Sequence, residues 1–179
     1  GLLSDTPEMK EFSEHAQCLA LIGDVLPADK AQAAWKHLIE DKDLKRCTVY
    51  FSYYLFETYF KFGRGDLFLK RLDLWRTYVK KGLTTTQEAP DSGKNGQFES
   101  RSDCHAWGAV ALYEFSAVIL GVRTVSAKDK TVEVRPYIEN RPYAKGTVSS
   151  IAGDVTVAWR KEGDTFYLSA KAADEGKVR

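Results

Sequence analysis

"CTVYFSYYLFETYFKFG", residues 47 to 63, is apolar or aromatic nearly all the way round a helix and closes at Gly63. A helix with no polar face has to be surrounded by other elements, and a glycine after its last turn is a common helix stop. The stretches on either side have the complementary pattern. "PADKAQAAWKHLIEDKD" (27–43) sets Ala31, Ala34, Trp35 and Leu38 on one stripe with lysines opposite, behind Pro27 near its first turn. "DLFLKRLDLWRTYVKKG" (66–82) is amphipathic too, with lysines in its last turn before Gly82. Upstream, "SEHAQCLALIGDVL" (13–26) offers Ser13 as N-cap and places Ala16, Leu19, Ala20 and Ile22 or Gly23 on one face. Downstream, "CHAWGAVALYEFSAVILG" (104–121) is again apolar all round. The alternation predicts about five helices, arranged as hairpins whose inner members pack side by side behind an outer layer.

After Val122 the periodicity changes from helical to alternating. "KTVEVRP" interleaves Val132 and Val134 with charges. "VTVAWRKEGDTFYLSAKA" puts Val155, Val157 and Trp159 on one side, turns at "KEGD", and resumes with Phe166, Leu168 and Ala170. The prediction is an α+β chain: a helical portion over 1–122 and a small antiparallel β-sandwich over 123–179.

Composition narrows the classes. The chain has 179 residues, 44% hydrophobic and 28% charged, enough for one sizeable core or two small ones. A net charge of +1 supplies no long-range field for nucleic acid or an acidic membrane surface, and the apolar runs are broken before they reach a membrane span. "GLLSDTPEMK" lacks the charged start and apolar centre of a signal peptide, so the chain is expected to be cytoplasmic or an internal piece of something longer. Cys18, Cys47 and Cys104 are odd in number and widely spaced, against a disulfide framework or a paired-cysteine zinc site, and are read as small buried hydrophobes. His15, His37 and His105 have no metal-ligand spacing, so no metal is predicted.

Chemistry-bearing side chains gather at the starts of the inner helices, in "FSEHAQ", "RCTVYF" and "SRSDCHAW". If those helices run parallel, the three ends converge at one mouth, where free N–H groups and positive dipole ends suit hydroxyls or carboxylates. The candidates are His15 with Glu14, Tyr50 with Phe51 and Tyr53, Arg101, and His105. His105 is expected near the second position of its helix with Ser102 or Asp103 as cap, neutral there and able both to donate and to accept a hydrogen bond. Cys104 and His105 point apart on a helix, which argues against a nucleophilic pair. Each candidate also has a structural reading: aromatic stripes are most often core, and a histidine at a helix start is most often a structural hydrogen-bonder.

"GLTTTQEAPDSG", followed by "ESRSDCHAWGAVALYEFSAVILGVR", with "RCTVYFSYYLFETYFKFGRGDLFLKRL" before and "VEVRPYIENRPYAKGTVSSIAGDVTVAW" after, resembles the C-terminal part of the bacterial α-L-rhamnosidases. The resemblance runs over essentially the whole chain. It implies part of a six-hairpin (α/α)6 barrel followed by a C-terminal β-sandwich, and a hydrolase that removes terminal α-L-rhamnosyl groups with inversion. It assigns the general base to Glu88 and a rhamnose contact to His105, and it places the general acid upstream of this chain. It implies no organic cofactor, a rhamnose-containing glycan or glycoside as substrate, and the remainder of the polypeptide or self-association as partner. The compartment stays open. One departure stands out, since many of the resembling enzymes carry an aromatic where this chain has Gln87. Two other readings of the residues also stay open: a helical-repeat interaction module, and a non-catalytic carbohydrate-binding module built on Trp159 and Tyr167.

Overall fold

A computed structural model describes residues 1–91, 100–138, 141–173 and 176–179. They form two compact units, Gly1–Ala111 and Leu112–Arg179, helical first and then β, so the fold is α+β.

The first unit contains α1 (Glu14–Ile22), α2 (Ala28–Glu40), α3 (Ser52–Lys61), α4 (Gly65–Arg71) and α5 (Asp73–Lys80). Helix α1 packs on both α2 and α3, and α3 on α4, the neighbour pattern of helical hairpins. Ser13 caps α1 as its sequence position predicts: its Oγ accepts from the Ala16 N–H at 3.3 Å and donates to Asp5 Oδ1 at 2.6 Å. The buried face of α1 differs from the predicted one. Glu14, Gln17, Cys18, Ala20 and Leu21 point inward, while Leu19 is 55% exposed. The two polar residues are tolerated because each is fully engaged. Gln17 straps the N-terminal segment, donating to the carbonyls of Leu3 and Ser13 and accepting from the Leu3 N–H. Glu14 takes a two-pronged hydrogen bond from Arg71, at 3.0 and 2.9 Å, and a third from the Cys47 N–H at 2.8 Å.

Helix α2 buries Ala34, Trp35 and Leu38, three of the four predicted stripe residues, and Trp35 stacks on Phe62 with ring centroids 4.3 Å apart. Helix α3 begins only at Ser52, because the preceding segment is pinned to the start of α1 through Ser13, Glu14, Lys45 and Cys47. The predicted helix over 66–82 is divided at Leu72 into α4 and α5. Phe56 of α3 sits edge-on to Phe68 and tilted against Trp75, fastening α4 and α5 to the inner helix. Burial pushes the thiols of Cys18 and Cys47 up to about 12. Cys104, in contrast, is exposed, so only part of the buried-hydrophobe expectation for cysteine holds.

The last predicted helix is not uniform. It runs as a 3-10 turn (Ala106–Ala109), a short α-helix, α6 (Val110–Glu114), and a π-helical turn (Phe115–Ile119). Leu112 is 72% exposed, so the all-round apolar surface is not fully enveloped within this chain. Gly121 then turns the chain with φ +78°, and a Cβ there would lie 2.2 Å from the Arg135 carbonyl carbon and the Pro136 nitrogen. Only glycine satisfies both demands.

The second unit holds two three-stranded sheets. In one, β1 (Val122–Ser126), β2 (Thr131–Val134) and β6 (Lys177–Val178) pair in that order. In the other, β3 (Tyr143–Ser150), β4 (Gly153–Glu162) and β5 (Thr165–Ala172) form an antiparallel meander. Val122, Val132 and Val134 of the first sheet share a buried core with Val155, Val157 and Trp159 of the second, which makes the pair a sandwich. One pairing, β2 with β6, is parallel, where an all-antiparallel arrangement was expected.

Candidate functional site

The site is built on two segments, residues 84–91 and 100–108, lying side by side in opposite directions. The Glu88 N–H donates to the Ser102 carbonyl at 2.8 Å, and the His105 N–H to the Thr86 carbonyl at 2.8 Å. The threonine hydroxyls add further ties, Thr86 Oγ1 to the His105 carbonyl at 2.8 Å and Thr85 Oγ1 to the Asp103 carbonyl. The pairing is close enough to demand glycine at 108: a Cβ there would fall 2.6 Å from Thr86 Cβ and Oγ1. Trp75 of α5 fixes the same point from below, its indole N–H donating to the Gly108 carbonyl at 2.6 Å.

Glu88 leaves this ladder with its side chain 13% exposed and both carboxylate oxygens held by Arg101. Its own carbonyl accepts from the Trp107 indole N–H at 3.0 Å. From Trp107 the contacts run on through aromatic rings. Its ring lies 4.0 Å from that of His105 and 5.6 Å from that of Tyr50. Tyr50 meets Tyr54, Tyr54 meets Phe51, and Phe51 lies 4.3 Å from the His15 ring. Hydrogen bonding with Tyr50 raises the Tyr54 phenol above its usual range. Glu88, Arg101, His105, Tyr50 and His15 are thus joined in one bank of side chains, with Tyr50 half exposed along it.

His105 is placed differently from the sequence expectation. It precedes the 3-10 turn in an extended conformation (φ −130°, ψ 117°), because its N–H is already spent on Thr86. Ser102 does not cap that turn, since its hydroxyl is engaged with the Cys104 backbone. The imidazole is set by packing against Trp107 and not by a helix dipole. Glu14, expected at the mouth beside His15, is buried on Arg71 instead.

Gln87, the departure noted in the sequence, points away from Glu88. Its side-chain amide is buried and donates to Asp91 Oδ1 at 3.0 Å and Asp103 Oδ1 at 2.9 Å. Asp91 also accepts from Lys81 and from the Ser100 N–H, and Lys81 leads in holding its carboxyl below the usual range. Trp107 and Gly108 are therefore site-forming residues that sequence reasoning missed, and Gln87, which it singled out, supports the two acidic neighbours instead of a sugar. The available signal was the "HAWGA" run, where an aromatic precedes a glycine at a helix start.

Among the described residues no group of three or more His, Cys, Asp or Glu side chains gathers as a metal site would require, and no helix is long and apolar enough to cross a membrane. A cleft of about 720 Å³ opens between α2 and the α4–α5 pair, lined by Leu38, Leu67 and Leu74, but Glu14 and Arg71 beside it are already committed to each other.

No family model matches the chain. It is 26% identical over 172 residues to an α-L-rhamnosidase of Alteromonas sp. (strain LOR), an alignment covering 88% of this chain and 19% of that relative. The crystal structure of a GH78 family rhamnosidase of Bacillus sp. GL1 superimposes with a TM-score of 0.84 at 23% identity, over 94% of this chain and 19% of the other. The chain resembles the α-L-rhamnosidases. With the structure of Streptomyces avermitilis α-L-rhamnosidase complexed with L-rhamnose, the likeness covers 99% of this chain against 19% of that one, with a TM-score of 0.75 and 24% identity. The chain thus spans about one fifth of the length of these rhamnosidases.

Proposed function

We propose that these residues are a portion of an α-L-rhamnosidase that cleaves terminal α-L-rhamnosyl groups with inversion, and that Glu88 is its general base. Residues 1–122 complete the catalytic barrel in this reading, and 123–179 form the trailing sandwich. The observation that carries it is the setting of Glu88: a carboxylate held in fixed orientation by Arg101, tied through Trp107 to a half-exposed bank of aromatic and imidazole rings.

Such a bank fits a sugar, whose apolar C–H faces stack on rings while its hydroxyls seek imidazole and phenol groups. Tyr50, His105 and His15 bind the sugar in this scheme, and Arg101 holds the base. Inversion needs a second carboxyl on the opposite face of the glycosidic bond, roughly 6.5–9.5 Å away, to protonate the leaving oxygen while Glu88 takes a proton from the attacking water. Three carboxylates of the helical unit are already committed: Asp91 and Asp103 are bridged by Gln87, and Glu14 is paired with Arg71. The acid is assigned, as the resemblance implies, to polypeptide outside these 179 residues, a reading supported by the one-fifth span of the relatives. The same polypeptide, or a second copy of this chain, covers the exposed apolar side chains of Leu112 and Phe115.

The test is hydrolysis of p-nitrophenyl α-L-rhamnoside. The 179-residue chain alone is expected to match the buffer rate, and a polypeptide that adds the remaining hairpins to turn it over, releasing β-rhamnose as the first anomer seen by NMR. Turnover by the chain alone, or retention of the α-anomer, overturns the assignment.

A further inference from the structure

The outward face of the β3–β4–β5 meander carries a second arrangement with no part in the site above. Tyr143, Arg160 and Tyr167 occupy one register row, β3 to β4 to β5. Tyr143 is 65% exposed and Tyr167 42%. The next outward row is Lys145, Ala158 and Ser169, with a small side chain at its centre, and a groove of about 630 Å³ is lined by both rows together with Phe166 and Leu168 of β5. Trp159, which the sequence suggested for this role, instead faces the sandwich core with its indole N–H on the Ile119 carbonyl.

The row is organised before any ligand arrives. The Arg160 guanidinium lies 3.9 Å from the centre of the Tyr167 ring, and its Nε donates to Glu162 at 2.8 Å. A guanidinium carries five N–H donors, and the Glu162 contact engages its Nε. Successive strands are spaced by about 4.8 Å, so the two tyrosines stand roughly 10 Å apart, about the length of a disaccharide. The surroundings of the row are hydroxylic and cationic. Thr147 and Thr156 share a hydrogen bond, and Lys145 and Lys171 are exposed on the same side. Of the carboxylates on this face, Asp154 is engaged by Ser149 and Glu162 by Arg160. The outward rows themselves carry only two tyrosines as large apolar side chains, narrower than the apolar centre of a protein interface, and three cations are too few for a phosphate backbone. Rings that stack on pyranose faces, next to a fork-shaped donor and two ammonium groups, match a sugar chain bearing carboxylates.

We infer that the Tyr143–Arg160–Tyr167 face binds a uronate-containing glycan. The inference stands whatever the role of Glu88. It is tested by calorimetry and NMR on the 179-residue chain with oligogalacturonate as acidic probe and maltohexaose as neutral probe. Oligogalacturonate is expected to bind, more weakly as salt rises, and to shift the resonances of β3–β5. Tyr167→Ala should weaken it about five- to tenfold, as expected for loss of one stacked aromatic contact, Arg160→Gln by about as much through loss of a charge-assisted donor, and Tyr167→Phe should retain it. Because these side chains are exposed, circular dichroism of the variants should match the parent. No binding, equal binding of maltohexaose, or a Tyr167→Ala variant that loses only self-association would each overturn the inference.

Discussion

Arg101 grips both carboxylate oxygens of Glu88, with Nε on Oε2 at 2.9 Å and a terminal nitrogen on Oε1. A fork of this kind fixes the plane of the carboxylate as well as its position. Each oxygen keeps a further lone pair, so a water can be held and deprotonated while the fork stays in place. Arg101→Lys keeps the charge and loses the fork. In a complete enzyme it should lower kcat by about tenfold with KM little changed, the signature of a misaligned base. Unchanged kcat would show that the pair has no part in positioning.

Glu88→Gln preserves shape but cannot accept a proton, and its amide nitrogen leaves one prong of the Arg101 fork without an acceptor. On an α-L-rhamnoside, kcat should fall by roughly 10²–10⁴ with a smaller effect on KM. Azide, a nucleophile that needs no base, should restore part of the rate. Wild-type turnover in this variant removes Glu88 from the mechanism.

Gly108→Ala addresses the scaffold of the site. The added methyl meets Thr86 at 2.6 Å and the Gln87 carbonyl at 2.9 Å, both on the paired segment, so the segments must separate. Overpacking of this type costs about 1–3 kcal/mol, and the strain falls on the ladder that carries Glu88. The variant should show a lower Tm and faster hydrogen exchange at the Glu88 and His105 amides, and wild-type exchange there would contradict the close approach.

The Glu14–Arg71 pair makes a stability prediction with an internal control. Arg71→Met strands a carboxylate that is buried at the foot of α1, at a cost of about 3–5 kcal/mol. Adding Glu14→Leu should recover most of the loss, less about 1–2 kcal/mol for the Cys47 N–H left without its acceptor. Urea denaturation of the two variants gives the comparison. A double variant no more stable than the single one would mean that the pair itself is net stabilising.

Asp66 links stability to acid. Arg64, and after it Lys70, hold its carboxyl down at about 2. The folded value is depressed, so the contribution is fully present above the ordinary aspartate value near ~3.9 and is lost as pH falls through about 2. Asp66→Asn should destabilise the helical unit by about 1 kcal/mol at neutral pH. The gap should close in strong acid, and one that persisted there would place the effect in packing.

The hairpin alternation and the strand register were legible because they rest on local pattern. Val155, Val157 and Trp159 alternate inward as written, and Gly163, with φ +58°, turns the chain between β4 and β5. What escaped depends on partners remote in sequence. Glu14 and Gln17 look like solvent-facing residues until Arg71 and Leu3 are brought to them. His105 reads as the start of a helix until the Thr86 carbonyl claims its N–H. The resemblance singled out Glu88, but that Arg101 would close on it depends on how the two segments pair. The break at Leu72 has no proline or glycine to announce it.

The parallel pairing of β2 with β6 also sets an order of events. Thr131 meets Lys177 and Val132 meets Val178, while the whole β3–β4–β5 meander lies between them along the chain. The meander closes through short turns, so its nucleation costs little loop entropy. The other sheet must wait for a long excursion to be gathered in before its third strand can dock. In pulse-labelling during refolding, amides of β4 should gain protection early. The Val134 N–H, which donates to the Arg179 carbonyl, and the Arg179 N–H, which donates to Val132, should gain it last. Until then the valines of β1 and β2 are an unfinished edge, and that interval is when this half of the molecule is most open to pairing with the wrong strand.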